Sequence, residues 1–415
     1  MMSKRTWRAV SLMLAIASAV LVVVSPVSAA QRGVKATTLT IWTDQDRQAA
    51  VQKVANEWGA ARGVTINVVV KSFGDIETQL GTVDAANAPD VVVAAHDWTG
   101  QLAANGLVEP LYPSKAVLNQ FPLYTLNAFS YGTAVKKLYG LPVSVENIGL
   151  VVNTKLAKVP TTFAQLEQEA LAFKKKSSGN LAIAVQQGSG GDAYHMYPFV
   201  SGLGGYVFGR NKAGNLDPSD IGVANPVFLK NASLIDKWNK EGLINSKVDS
   251  STAQTAFTSK KAAFWITGPW NSDLLKKSGL SFKVIQVPKI VKSAVPFLGV
   301  NGFMVTKYAS THGVDAAAKD LVTNYMATTA AQSTLAAANS RPPANLNAAK
   351  KESDPVLAQF SKAGVNGVPM PNIPQMASVW SDLGQAWVKS TKGSGATKAR
   401  VAFVAASRAI ADKIG

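Results

Sequence analysis

Hydrophobic positions along this chain follow two alternating periods. Leu39-Thr40-Ile41-Trp42 reads as a strand, and Val51, Val54, Ala55 and Trp58 behind it fall at the spacing of one helical face. Val64 to Val70 alternates and is rich in β-branched residues, Asp75 to Ala86 is helical in pattern, and Pro89-Asp90 leads into the apolar run Val91 to Ala94. Strand, helix, strand, helix, strand is the order of a parallel sheet covered by helices. Ligands of such sheets lie beyond the carboxyl ends of the strands. Asp46 and Arg47 after the first strand, and His96, Asp97 and Trp98 after the third, therefore stand where a ligand would be held.

A second α/β region is expected to begin around Leu141 to Glu146, with a strand at Gly149 to Val152 and a helix that Thr162 caps and that runs through Lys175. Further helices are predicted at Pro226 to Glu241 and Ala253 to Ser259. Ala262 to Thr267 reads as a strand running into Gly268-Pro269-Trp270. Phe297 to Thr306 is strand-like again, and Asp315 to Ala338 is an alanine-rich helical stretch. No repeat of 20 to 50 residues and no low-complexity linker divides the chain. Two lobes in this chain would be joined by several short crossings rather than by one tether.

The amino-terminal thirty residues change the picture from fold to address. Lys4, Arg5 and Arg8 precede an uncharged apolar run from Ala9 to Val24, and Pro26, Ser28, Ala29 and Ala30 follow. This is the composition of a cleaved secretory signal peptide, cut after Ala29 or Ala30; the run falls short of the ~20 residues of a spanning helix. A retained anchor is the alternative. The 385 residues that remain suffice for two domains. With no cysteine in the chain there is no disulfide, no thiolate metal site and no lipid-bearing cysteine, so a periplasmic or freely secreted protein is expected.

Beyond residue 30 the chain has 39 lysines and arginines against 25 acids, a formal +14. The lysines are scattered, with Lys174 to Lys176 the densest run, and no aromatic platforms alternate with them. Nucleic acid is therefore not an expected partner. His96, His195 and His312 are too far apart for a local metal pair. Gly188 to Gly191 is not a nucleophile elbow, and Gly393-Ser394-Gly395 lacks the spacing of a phosphate loop. No cofactor is called for.

Sugar recognition needs flat aromatic faces for the C–H face of a pyranose and ionised or amide groups for its hydroxyls. The chain puts the two together in Asp97-Trp98 and in Asp192 with Tyr194. Trp270 and Trp380 add aromatic faces after glycine- or proline-rich turns. The same acids could serve a glycoside hydrolase, since sequence does not give their separation.

At these residues the chain resembles the maltose/maltodextrin-binding proteins of ATP-driven importers, within the larger family of extracellular solute-binding proteins. The similarity runs over nearly the whole chain beyond the leader, in the family's order. Ile41 to Arg47 is similar to the opening strand and loop, where the resemblance assigns Asp46 and Arg47 to sugar hydroxyls, with arginine in place of the more familiar lysine. Ala95-His96-Asp97 matches the loop whose aspartate holds ligand, and Leu141 to Glu146 the hinge-proximal segment whose glutamate does likewise. Tyr194, with Pro198 four residues on, looks like a stacking tyrosine, which puts Asp192 at the neighbouring acidic position. Gly268-Pro269-Trp270 matches a stacking tryptophan, and Met370 to Met376 followed by Trp380 is the most specific match.

Three positions depart from the pattern. Ala94 stands where a stacking tryptophan belongs and Trp98 where an arginine does, so the aromatic platform is expected four residues along; Gly384 replaces another arginine. Ligand length and linkage stay open among maltose, maltotriose, longer maltodextrins, cyclodextrins and other oligosaccharides.

The resemblance implies an α/β, two-lobed periplasmic-binding-protein fold with a hinge and a ligand cleft. Residues 31–144 and 300–343 would form the N-terminal lobe, and residues 145–299 and 344–415 the C-terminal lobe. It also implies a monomeric, non-enzymatic oligosaccharide receptor whose partners are the permease subunits of an ABC importer. A secreted glycosidase and a receptor for another solute are the competing expectations.

Overall fold

The first strand, β1 (Thr37–Thr43), is rich in β-branched residues and buries Leu39 and Ile41 completely. Helix α1 (Gln45–Ala60) follows at once, because Asp44 caps it by accepting from the Arg47 N–H at 3.1 Å. Strand β2 (Val64–Val70), helix α2 (Phe73–Thr82) and strand β3 (Val91–Ala95) complete the expected alternation. β1 lies parallel between β2 and β3, and all five residues of β3 are buried, the signature of a strand covered on both faces. The long strand Phe297–Val305 runs antiparallel to β3 and carries Gly140–Glu146 and Val368–Pro369 beside it, giving a six-stranded sheet.

The structure is a computed structural model describing residues 37–132, 135–338 and 340–415; the leader expected at residues 1–30 lies outside the described residues. Among those residues no helix is long and apolar enough to cross a membrane.

A second sheet has the order Phe282–Ile285, Gly149–Asn153, Phe264–Thr267, Ala184–Val185. Each sheet has its own core. One core draws on residues between Leu39 and Val143 and between Val300 and Ala344. The other, with a satellite cluster, draws on residues between Ile148 and Phe297 and between Val356 and Ile410. The chain passes from one core to the other near residues 144–148, 297–300 and 344–356, all within one compact unit, Thr37–Gly415.

The strand Gly140–Glu146 corrects one sequence expectation. It does not open the second α/β region but pairs with residues 299–304 in the first sheet, and the second sheet begins only at Gly149. The helix Phe163–Lys175 starts as expected, with Thr162 accepting from the Gln165 N–H. The stretch Asp315 to Ala338 is not continuous: α-helix Asp315–Asp320 passes through a π-turn, Leu321–Tyr325, before Thr329–Ala338 resumes.

Candidate functional site

Six of the sequence-derived side chains converge where the two cores meet. Asp97 sits just past β3, in the short turn His96–Trp98, 6 % exposed, and one of its oxygens accepts from the Trp380 indole N–H at 3.1 Å. Trp380 opens the helix Trp380–Thr391 and meets Phe297 edge to face at 5.8 Å. Phe297 stacks on Tyr194 at 6.2 Å, and Tyr194 lies 6.3 Å from Trp270. The Arg341 guanidinium lies 5.5 Å over the Trp270 ring and is ion-paired with Glu146. Asp97, Trp380, Phe297, Tyr194, Trp270, Arg341 and Glu146 thus form one unbroken run of contacts. Asp192 joins it from the side: it caps the helix Ala193–Gly202 and accepts from His195 through both the backbone N–H and Nδ1, each at 2.9 Å. His195 in turn meets the edge of Trp270 at 5.6 Å.

Local sequence explains why these side chains stay in place. His96 is fully buried, and burial lowers its pKa to about 4, so the ring is neutral. Its Nδ1 accepts from the Val300 N–H at 3.0 Å, which leaves Nε2 to donate to the Met370 carbonyl at 3.0 Å. One imidazole thus ties the end of β3 to the long strand and to the Met370–Met376 segment. Glycine lets α3 (Thr99–Ala104) approach that segment closely: a Cβ on Gly100 would sit 2.5 Å from the Asn372 carbonyl oxygen.

The remaining predicted residues are placed differently. Arg47 is buried and paired with Asp44, with its guanidinium 4.7 Å from the Phe73 ring. Trp98 tilts against the same Phe73 at 4.9 Å and belongs to the first core. Asp46 is exposed on the first turn of α1; the acid bonded to Arg47 is Asp44. Ala94 is buried in the core of the first sheet. Gly384 lies against the Gly190-Gly191 backbone, where a Cβ on Gly384 would come within 3.2 Å of the Gly190 carbonyl oxygen.

Electrostatically the site is strained by burial. Burial pushes Asp97 up to about 7, aided by the Glu146 charge and opposed by its own backbone and the Trp380 N–H. Glu77 on α2 is pushed up to about 8, by burial and then by Asp97. Burial also acts to raise Glu146, but the Arg341 charge and hydrogen bond outweigh it and hold the carboxyl below its ordinary value. Burial and then Arg341 lower Arg47.

Several buried polar atoms here have no hydrogen-bond partner among the described residues: Asp97 Oδ1, Tyr194 Oη, His195 Nε2 and Arg47 Nη2. Leaving such groups unmet costs about 1–3 kcal/mol each, so their concentration beside an aromatic wall makes this a candidate place for a polar ligand. Among the described residues no group of three or more metal-ligating side chains occurs. Sequence reasoning missed Arg341, Glu77, His96 as a strut, and Phe297. Arg341, between an alanine-rich stretch and Pro342-Pro343, carries no local signal of its pairing with Glu146.

Two α/β cores meet at this polar and aromatic cluster, and two solved structures of similar shape hold sugars. A maltotriose-binding protein of Thermus thermophilus, solved with maltotriose, superposes with a TM-score of 0.80 at 27% identity, covering 91% of this chain and 100% of that one. A cyclo/maltodextrin-binding protein complexed with maltotetraose gives 0.74 at 27% identity, covering 91% and 97%. Residues 53–363 match the family described as bacterial extracellular solute-binding protein, and the chain belongs to that family. Among its relatives are a maltodextrin-binding protein of Bacillus subtilis, 30% identical with 83% of this chain and 82% of that protein covered, and a galactooligosaccharide-binding protein of the same organism, 28% identical over 85% and 84%.

Proposed function

We propose that this protein is an exported receptor that binds a maltooligosaccharide between two lobes, closes on it, and hands it uncleaved to the permease subunits of an ABC importer. The observation that carries this reading is the run of contacts from Asp97 through Trp380, Phe297, Tyr194 and Trp270 to Glu146, with unpartnered Asp97 Oδ1 and Tyr194 Oη beside it. Trp270, Trp380 and Tyr194 offer ring faces to pyranose C–H groups. Asp97, Glu146 and Asp192 accept from hydroxyls, and Arg47 donates to them. Trp98 backs Arg47 through Phe73. Asp46 is the solvent-facing acid of the set.

The lobes we propose are residues 31–144 with 300–343, and 145–299 with 344–415, which the membership of the two cores supports. Asp97 lies in the first and Trp380 in the second, so a ligand gripping both favours closure, and closure is what the importer reads. The protein acts as a monomer, and residues 1–30 serve as a cleaved export signal. The galactooligosaccharide-binding relative favours one second reading, a galactooligosaccharide as ligand.

Isothermal titration calorimetry with maltose, maltotriose, maltotetraose, a cyclodextrin and a galactooligosaccharide, followed by a reducing-end assay, tests the reading. Saturable binding of an α-linked glucan with constant reducing ends is expected. Binding of the galactooligosaccharide alone would select the second reading, and new reducing ends would mean an enzyme.

A further inference from the structure

The positive charge of this chain is segregated. Residues 37–144 and 300–343, which build the first core, hold 10 lysines and arginines against 11 acids; residues 145–299 and 344–415, which build the second, hold 27 against 14. One half has a formal charge of −1 and the other +13. The ligand site accounts for none of this imbalance, since its acids Asp97, Glu146 and Asp192 outnumber its arginines Arg47 and Arg341.

Within the second half, one surface concentrates lysines. The helix Phe163–Lys175 ends in Lys174 and Lys175, and Lys176 follows. Lys174, Lys247 and Lys392 line a single cavity of about 290 Å³ together with Asn239. The surface is knitted together locally: Lys174 Nζ donates to the Glu241 carbonyl at 2.9 Å, and Asn239 bonds Gly393 in both directions, at 3.2 and 2.8 Å. Lys240 stands on the same helix as Asn239 and Glu241. The nearby acids are engaged elsewhere, Glu167 and Glu241 with Lys237 and Asp236 with Lys398. Lys175, Lys176, Lys240, Lys247 and Lys392 are exposed, and none forms an ion pair among the described residues.

We propose that this lysine surface docks the protein onto an anionic phospholipid bilayer. Long lysine stems carry point charges that suit an array of headgroup phosphates, and each lysine near such a surface adds attraction that decays within a Debye length. The near-neutral first half gives the attraction a direction, so the protein sits with its second half toward the lipid. Electrostatic retention of this kind holds a receptor close to the membrane it serves.

Vesicle co-sedimentation of the full chain tests this. The probes are vesicles of pure phosphatidylcholine and vesicles with about 30% phosphatidylglycerol, each at low salt and at about 0.5 M NaCl. The quadruple variant Lys175→Glu, Lys176→Glu, Lys247→Glu, Lys392→Glu is compared with a control of equal charge change on the first half, Lys53→Glu, Lys115→Glu, Lys136→Glu, Lys137→Glu. The expected result is association with the anionic vesicles only, abolished by salt, weakened at least about tenfold in the first variant and much less in the control. Both variants keep the wild-type maltotriose affinity. Absence of association at low salt, equal binding to phosphatidylcholine, survival in high salt, or equal loss in both variants would each overturn the proposal. A surface that ignores lipid is left for a protein partner such as the permease.

Discussion

Replacing Asp97 by asparagine isolates the energetic consequence of burying a carboxylate whose second oxygen has no partner. The folded protein holds the Asp97 proton up to about pH 7, whereas an unfolded chain releases it near the ordinary 3.8. Between those values folding takes up a proton, so this residue's effect on stability improves as pH falls and worsens as pH rises through 7. His96 acts oppositely, because its folded value of about 4 lies below the ordinary 6.5, so the wild-type profile alone is not diagnostic. The difference between wild type and Asp97→Asn cancels His96 and leaves the carboxylate together with its repulsion of Glu77, which acts in the same direction. At 1.36 kcal/mol per pH unit of mismatch, Asp97→Asn should gain about 2.5 kcal/mol on wild type between pH 5 and pH 8. Urea denaturation at those two pH values measures it, with the Trp380 hydrogen bond retained by the amide oxygen. A stability difference that stays within about 0.5 kcal/mol across that range would refute the burial argument.

Arg341→Gln should weaken maltotriose binding about tenfold or more at pH 7 and steepen the loss at lower pH, because Glu146 then keeps burial without its principal counter-charge; parallel titrations of wild type at pH 5 and 7 provide the comparison. A pH-independent loss would reduce Arg341 to packing. Trp380→Phe keeps an aromatic ring beside Phe297 but removes the donor to Asp97, and should cost about 1 kcal/mol of affinity by calorimetry. Gly191→Ala combines a positive φ of 74° with a Cβ 2.3 Å from Gly384, and should lower unfolding stability by at least about 2 kcal/mol. A shift under about 0.5 kcal/mol in a urea melt would contradict that contact.

Much of the fold is local and was readable in the sequence. The alternation from β1 to β3 follows from periods of 2 and 3.6, and the Thr162 cap lies within three residues of the group it satisfies. Gly140–Glu146 misled because its sheet is chosen by a strand some 160 residues later, a pairing that periodicity does not encode. The break at Leu321–Tyr325 is likewise invisible in an alanine-rich run.

In the site, Asp97, Glu146, Tyr194, Trp270 and Trp380 are brought together, whereas Asp46 faces solvent and the acid bonded to Arg47 is Asp44, the cap of α1. Trp98 shows the converse: an aromatic beside an acid in sequence turned out to be packed on Phe73. Arg341 could not be found locally, because its partners Glu146 and Trp270 come from segments far along the chain.

The most direct measurement is a crystal structure of the protein with maltotriose. Glucose rings are expected against Trp270, Trp380 or Tyr194, with a sugar hydroxyl donating to Asp97 Oδ1. Maltotriose bound away from these side chains, with Asp97 Oδ1 still unpartnered, would contradict the proposed site.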